Sequence, residues 1–157
     1  MSKQATIHLS NKINKKIATQ LYTFLKNNIE WDEGVKSRKG FTRLAKALSY
    51  SSLLRVLEDY PEVVVEIVET IDKYCIRKQC VGVYLNYYQD GNSWTPNHKH
   101  NDTSQIIVSL GATRTLKVGN KELKSKNGDI IVFGSSMHGI AKEDVEEGRI
   151  SIALFMI

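Results

Sequence analysis

Three of the four histidines lie in the second half of the chain, and two of them stand two residues apart. The segment TPNHKHND, residues 95–102, contains His98, His100 and Asp102. Side chains alternate along an extended chain, so these three would point to the same side. Neighbouring members of this row could hold one metal ion, and a third ligand would have to come from another strand. His138, in the segment FGSSMHG, is the remaining histidine of this half.

The residue types of this row suit more than one metal. Imidazoles with a carboxylate and open coordination positions are typical of non-haem Fe(II) oxygenases. Three histidines with a bound water would instead suit zinc, in hydrolysis or in a structural role. Surface histidines that hold no metal are a third interpretation. The spacing alone leaves all three open.

Three other residues could bind a small dicarboxylate beside such a metal. Arg149 opens the segment RISIALF shortly after His138, and an arginine can pair with a carboxylate through two parallel hydrogen bonds. Asn86 and Tyr88 precede the histidine row and can form hydrogen bonds to the same ligand. Around a candidate iron site, these residues predict a dicarboxylate co-substrate.

The elements that must position these residues change in character near residue 80. Before it, apolar spacing predicts a helix from Ser10 or Asn11 to about Asn28 and a second helix over residues 61–74, after a short strand at 5–9. After it, we predict strands over 80–88, 105–110, 113–118, 129–133 and 149–156, separated by glycines. Helices followed by many short strands indicate an α+β protein with an antiparallel sandwich or jelly roll.

Residues 31–52 carry a concentration of basic side chains beside aromatic ones. We expect a loop with some helical turn here, in which Arg38, Lys39 and Arg43 could contact a nucleic-acid backbone. A solvated basic loop is the alternative interpretation. The net charge of +5 is compatible with a polyanionic partner.

The composition is that of one globular domain. With 157 residues, of which 41% are hydrophobic, we expect a single domain over 1–157. In it, residues 1–79 would give helical support and a substrate-side loop, and residues 80–157 a jelly-roll core with the metal site. The chain has no apolar run of membrane-spanning length and no signal-peptide pattern at its start. With two cysteines that form no disulfide framework, we expect an intracellular protein, cytoplasmic or nuclear, and not a secreted one.

The second half of the chain resembles the AlkB-like Fe(II)/2-oxoglutarate-dependent dioxygenases. The family's motifs, N-x-Y-x-x-G, H-x-D, S-L-G, a glycine and aspartate before an apolar run, a histidine, and a closing R-x-N-x-T-F-R, find counterparts in order over residues 81–157. The resemblance implies a double-stranded β-helix (jelly roll) with N-terminal helices packed on one sheet. It implies Fe(II) on His98 and His138 and 2-oxoglutarate on Asn86, Tyr88 and Arg149. Oxidative hydroxylation or dealkylation with O2 would follow, with alkylated DNA or RNA as the expected substrate.

Three departures from the family pattern bear on the site, and one of them is that Ser151 and Ala153 replace the family's asparagine and threonine in the last motif. Counted without gaps, the family's aspartate falls on His100, whereas a two-residue slip restores an H-x-D pair with Asp102; both alignments stay open. Phe155 stands where the family's last arginine is expected, and Arg114 could substitute for that charge from a neighbouring strand.

These departures keep two other functions in view. One is a three-histidine metal protein that works without 2-oxoglutarate, and the other is a non-catalytic module that binds nucleic acid or a small ligand. In each case we expect no membrane and no obligate protein partner.

Overall fold

Two antiparallel sheets and three helices make up the computed structural model, which describes residues 3–37 and 40–157; the side chains of residues 33–41 lie outside that description. The strands of the first half are β1 (Ile7–Leu9), β2 (Asp32–Ser37) and β3 (Gly40–Leu48). The helices are α1 (Lys15–Asn28), α2 (Tyr50–Val56) and α3 (Pro61–Tyr74). The remaining strands are β4 (Cys80–Tyr88), β5 (Thr95–His98), β6 (Ser104–Gly111), β7 (Arg114–Val118), β8 (Lys121–Ser125), β9 (Ile130–Phe133), β10 (His138–Ile140) and β11 (Arg149–Met156).

The strands form a jelly roll. The larger sheet has the order β1-β9-β6-β11-β4-β3-β2, and the smaller sheet has the order β5-β10-β7-β8. A small apolar cluster between the sheets includes Ile107, Leu116 and Phe133. The predicted α+β jelly roll with helices on one sheet is confirmed.

Alternation along β4 shows how the larger sheet separates structure from site. Val83 and Leu85 belong to the main core, which also contains buried residues of α1, α2 and α3. Asn86 and Tyr88 line a pocket between the two sheets instead. One face of the sheet is therefore covered by helices, and the other is free to carry polar chemistry.

The helices begin where the local sequence supplies a cap or a proline. α1 begins at Lys15, later than predicted, because the side chain of Asn14 accepts a hydrogen bond from the backbone N–H of Lys16. α3 begins at Pro61, as predicted, because proline is suited to the first helical turn. None of the helices in the described part of the chain is long and apolar enough to cross a membrane.

The prediction of a loop with some helical turn over residues 31–52 is wrong for most of that range. The structure has β2, β3 and the short helix α2 there. β3 pairs with β4 through Leu44↔Tyr87, Ala45↔Asn86 and Ala47↔Tyr84. This pairing extends the larger sheet beyond β4, and a long-range pairing of that kind leaves little local signal in a sequence rich in charged residues.

The sequence also missed β5, β8 and β10, which are short strands of the smaller sheet. β5 contains Pro96, which argues against a central strand; here β5 is an edge strand, where a missing backbone N–H is tolerated. β10 has only three residues, too few for an alternating pattern to be recognised.

Candidate metal centre and its pocket

Three histidines from two neighbouring strand segments converge at one end of the pocket. His98 ends β5, and His138 opens β10 as its direct register partner. His100 follows two residues after His98, and one ligand nitrogen from each of the three lies within 4.8 Å of the others. Gly139 permits this approach, since a Cβ there would lie 2.6 Å from the Oδ1 of Asn97 and 2.8 Å from the carbonyl of Thr95.

Backbone carbonyls fix the tautomers of two of these rings. Nδ1 of His98 donates to the carbonyl of Pro96 at 2.7 Å, and Nδ1 of His138 donates to the carbonyl of Ser136 at 2.9 Å. A carbonyl only accepts, so Nδ1 carries the hydrogen in both neutral rings and Nε2 keeps its lone pair. Metal-binding histidines are commonly oriented by this kind of hydrogen bond.

Burial favours the neutral forms of His138 and His100. It lowers the pKa of His138 to about 4, an effect that the Ser136 carbonyl opposes and that the neighbouring His98 and His100 add to. Burial, followed by repulsion from His98, also lowers the pKa of His100. Near neutral pH, both rings are in the deprotonated form that a metal requires.

The donor set fits a divalent transition metal. Nε2 of His98 and Nε2 of His100 are 3.1 Å apart; two nitrogens that bind one metal at about 2.1 Å, at a right angle, lie about 3 Å apart. Imidazole nitrogen is a suitable ligand for iron, zinc, copper and nickel. The residues present could therefore hold the Fe(II) that the motif resemblance implies.

Asp102 does not join this cluster. β5 ends at His98, and Asp102 lies in a turn with a φ of 61°, where its backbone carbonyl accepts a hydrogen bond from Arg77 Nη1 at 2.6 Å. The expectation that residues 98, 100 and 102 share one side is wrong for Asp102, because the extended segment has ended before it. Of the two open alignments, the structure brings together the residues of the three-histidine one.

Alanine substitutions at positions 98, 100 and 102 test this ligand set. We expect His98→Ala and His100→Ala each to weaken divalent metal binding strongly, because each removes one nitrogen of the cluster. We expect Asp102→Ala to bind metal as the unmodified protein does. Metal content after gel filtration and Kd by competition with a chromogenic chelator measure the difference. A loss of metal in Asp102→Ala would show that the Asp102 carboxylate is a metal ligand.

The lowered histidine pKa values predict acid sensitivity of the metal-free protein. The unfolded chain takes up a proton at His138 near pH 6.5, whereas the folded chain resists it until about pH 4. The unfolded state thus binds more protons between these values, so the free energy of unfolding falls as the pH decreases through this window. We expect roughly 1–3 kcal/mol, at about 1.4 kcal/mol per pKa unit. Urea titrations at several pH values measure the free energy of unfolding. Its decrease with falling pH should be smaller in His138→Gln than in the unmodified protein.

The opposite end of the pocket contains a buried arginine with unused donors. Arg149 is 1% exposed, and its Nη2 donates to Ser109 Oγ at 2.9 Å. Within the described part of the chain, its buried Nε and Nη1 have no hydrogen-bond partner. Burial lowers the pKa of this guanidinium, a cost that a bound carboxylate would offset.

Arg114 lies close by and differs from Arg149 in that its donors are occupied. It donates to Glu143 Oε1 at 3.4 Å and to the carbonyls of Asp90, Ser93 and Ala141. The ring of Tyr88 is near both guanidiniums, with its centroid 5.5 Å from Arg114 Cζ and 5.2 Å from Arg149 Cζ. Arg114 is thus committed to the protein, and the suggestion that it replaces the family's last arginine has no support in its contacts.

Asn86 and Tyr88 line the pocket between the metal end and the arginine end. Asn86 accepts a hydrogen bond from Arg43 Nε at 2.8 Å through Oδ1, and Tyr88 shares a hydrogen bond of 2.7 Å with Thr95 Oγ1. Register places Asn86 opposite Ser151 and Tyr88 opposite Arg149 on β11. The structure therefore brings the three predicted co-substrate residues to one wall.

The pocket itself has a volume of about 120 Å³. Phe155 lies at the metal end, with its ring centroid 5.1 Å from that of His100. Gln105 Nε2 is 3.2 Å from Nε2 of His138, so this amide hydrogen bonds to the lone pair that a metal would use. The space and its lining suit a small polar ligand held between a metal and Arg149.

The three residues expected to contact nucleic acid divide into two groups. Arg38 and Lys39 lie outside the described residues. Arg43 is described, and the expectation of an exposed loop residue is wrong: it is 8% exposed, lies on β3 and lines the pocket. β3 turns it inward because Arg43 and Ala45 share the side of the sheet on which Asn86 lies.

Sequence reasoning missed two buried polar residues that contact the predicted ones, of which Gln105 lines the pocket. Gln105 contacts His138, and Ser109 holds Arg149. Both lie on β6, on the side that faces the smaller sheet, while Ile106 and Val108 face the main core. The polar residues of SQIIVSLG at this period were the available signal.

Comparison with known proteins bears on the fold. No family model matches the chain, and no curated protein matches it. OsALKBH1 aligns over 98% of this chain and 99% of its own, with 12% identity and a TM-score of 0.64. A prolyl hydroxylase from Trichoplax adhaerens, solved with a peptide of hypoxia inducible factor, aligns over 98% and 84%, with 12% identity and a TM-score of 0.69.

A third structure widens the range of chemistries on this architecture. SnoN, a non-haem α-ketoglutarate-dependent epimerase from nogalamycin biosynthesis, aligns over 99% of this chain and 78% of its own, with 13% identity and a TM-score of 0.66. The protein has the fold of the Fe(II)/2-oxoglutarate dioxygenases. At these identities the likeness to the three structures concerns the fold alone.

Proposed function

We propose that this protein is an Fe(II)- and 2-oxoglutarate-dependent dioxygenase. The observation that carries the proposal is the arrangement within one pocket of three convergent imidazoles and a buried guanidinium with unused donors. A metal ligand set and a carboxylate site at opposite ends of a small pocket are what a chelating dicarboxylate requires. The oxygenase fold supports the same function.

Each residue has a distinct task in this proposal. His98, His100 and His138 would hold Fe(II) as neutral ligands, and the metal would supply the activation of O2 for oxidation of a C–H bond. Arg149 would bind the distal carboxylate of 2-oxoglutarate, with Tyr88 beside it. Asn86 would hydrogen bond to the keto acid nearer the metal. The buried apolar lining would keep bulk water from the reacting groups.

Anaerobic reconstitution tests the proposed function directly. Fe(II) and 2-oxoglutarate together should produce a weak visible absorption band that neither gives alone, because a keto acid chelated to Fe(II) absorbs by charge transfer. Admission of O2 should then convert 2-oxoglutarate to succinate and CO2. Stoichiometric uptake of iron without the band would show that the protein does not use 2-oxoglutarate. A protein that takes up no iron would contradict the proposed dioxygenase function as a whole.

We further propose alkylated DNA or RNA as the substrate, as in AlkB-type enzymes. Support comes from the order of the motifs over residues 81–157 and from the net charge of +5. Fluorescence anisotropy with a methylated and an unmethylated oligonucleotide at several salt concentrations tests it. Arg43 is buried, so the variant for this test substitutes only the other two predicted contacts, Arg38→Gln with Lys39→Gln. It should bind the oligonucleotide more weakly, and its affinity should depend less on salt concentration. A methylated oligonucleotide left unchanged by an otherwise active protein would point to another substrate.

A three-histidine metal protein that works without 2-oxoglutarate is the second candidate. The position of Asp102 away from the cluster favours it, since the carboxylate of the usual facial site is missing from the ligand set. Three neutral imidazoles leave the metal more positive than two imidazoles with a carboxylate. Tight iron binding without a response to 2-oxoglutarate would select this candidate.

A further inference from the structure

The described lining of the pocket carries two arginines and no carboxylate. The arginines are Arg43 and Arg149, and three imidazoles lie at one end. With a divalent cation on neutral histidines, the formal charge is +4: two from the metal and one from each guanidinium. A ligand must supply negative charge at more than one point to offset this field.

The second arginine of the pocket, besides Arg149, does not lie at position 155, where the resemblance predicts one. This chain has Phe155 there, whose ring packs against His100 and Tyr84. The donors of Arg114 are occupied by Glu143 and by three backbone carbonyls. Arg43 is therefore the remaining cation of the described pocket lining besides Arg149.

The contacts of Arg43 hold it in place without neutralising it. Its Nε donates to Asn86 Oδ1 at 2.8 Å and its Nη1 donates to Thr42 Oγ1 at 3.1 Å, so both partners are uncharged. Because a guanidinium only donates, the contact fixes the amide of Asn86 with Oδ1 toward Arg43 and leaves the Nδ2 hydrogens for a ligand. Asn86 pairs with Ser151, two residues from Arg149 on β11 toward the metal end.

We propose that Arg43 binds the carboxylate of 2-oxoglutarate that Arg149 does not hold, in place of the arginine expected at position 155. This inference rests on the proposed function. The anion would be received by the Arg43 guanidinium and the Nδ2 hydrogens of Asn86, from the β3 side of the pocket. The cation that the family places on the last strand is thus supplied here by a strand of the first half of the chain.

Ligands that each lack one end of 2-oxoglutarate separate the two arginines. 2-Oxopentanoate keeps the keto acid and lacks the distal carboxylate, whereas 4-oxopentanoate keeps the distal carboxylate and lacks the other. Kd values for both, and for 2-oxoglutarate, are measured on protein loaded with Mn(II), by calorimetry and competition. Arg43→Gln should weaken 2-oxoglutarate and 2-oxopentanoate by about tenfold or more, the usual effect of losing a charge-assisted hydrogen bond. It should leave 4-oxopentanoate binding unchanged. Arg149→Gln should weaken 2-oxoglutarate and 4-oxopentanoate and leave 2-oxopentanoate binding unchanged.

Lys46→Gln is the matched control, because it removes one positive charge from the same strand outside the pocket lining. It should bind all three ligands as the unmodified protein does. Arg43→Lys keeps the charge and loses the fork, so it should recover part of the affinity for 2-oxopentanoate. Thermal melts of each variant establish that the fold is retained.

The outcomes separate this inference from the proposed function. If the unmodified protein binds Mn(II) and 2-oxoglutarate but Arg43→Gln binds every ligand equally well, Arg43 has no role in keto acid binding. If Arg43→Gln weakens all three ligands to the same extent, its effect is a general one on the pocket, which also overturns the inference. If the unmodified protein binds no 2-oxoglutarate, the proposed function itself fails.

Discussion

His138→Ala should retain no stoichiometric divalent metal after gel filtration. His138 is the ligand that β10 brings to the two histidines of the β5 segment, and its Nε2 is held ready by the hydrogen bond from Nδ1 to Ser136. Removing partners that merely orient a metal ligand costs 10–100-fold in affinity, so we expect loss of the ligand itself to cost more than ~100-fold.

Metal content by mass spectrometry and Kd by chelator competition measure this effect. His8→Gln is the matched control, because His8 lies outside the cluster and pairs with Asp129 at 2.8 Å. A melting curve is needed for both variants, since the His138 ring also packs against Phe133, with centroids 4.7 Å apart. Stoichiometric iron in a folded His138→Ala would reject the three-histidine centre.

Arg149→Lys should weaken 2-oxoglutarate binding by about 10–100-fold. Lysine keeps the charge but replaces a planar fork, which can pair with both carboxylate oxygens, by a single point of contact. Nε and Nη1 of Arg149 lack a partner among the described residues, so each has a hydrogen to donate to a carboxylate, and either can form the fork together with the second hydrogen of Nη2. Metal binding should be unaffected, because Arg149 lies at the other end of the pocket from the histidines.

Calorimetry on metal-loaded protein gives this Kd, with Lys117→Gln as a control for loss of an exposed cation on β7. An unchanged Kd in Arg149→Lys would place the co-substrate elsewhere. A loss of metal together with the co-substrate would instead indicate that the substitution disturbs the whole pocket.

The jelly roll could be predicted because its long strands carry strong local patterns. β4 and β11 are found where the sequence places them, since buried alternating or apolar runs of this length are distinctive. The order of the motifs along these strands then indicated which residues would meet. The convergence of His98 and His138 follows from the register of β5 with β10, which no local pattern shows.

The errors arise where a pattern ends or where distant segments pair. Alternation relates His98 to His100 but stops before Asp102, because a turn with positive φ intervenes. Arg43 appeared to be a loop residue because its neighbours are charged, and only the pairing of β3 with β4 turns it inward. The chemistry of a side chain was readable from the sequence, whereas its direction depended on long-range partners.

The position of β5 at the rim of the smaller sheet has a consequence for the metal. Among the described residues, β5 pairs with β10 and no other strand, with two register pairs and a proline that donates no hydrogen bond. A cation shared by His98, His100 and His138 would add a cross-link between this weakly attached edge and the interior. Metal binding would thus also strengthen the attachment of β5 to the smaller sheet.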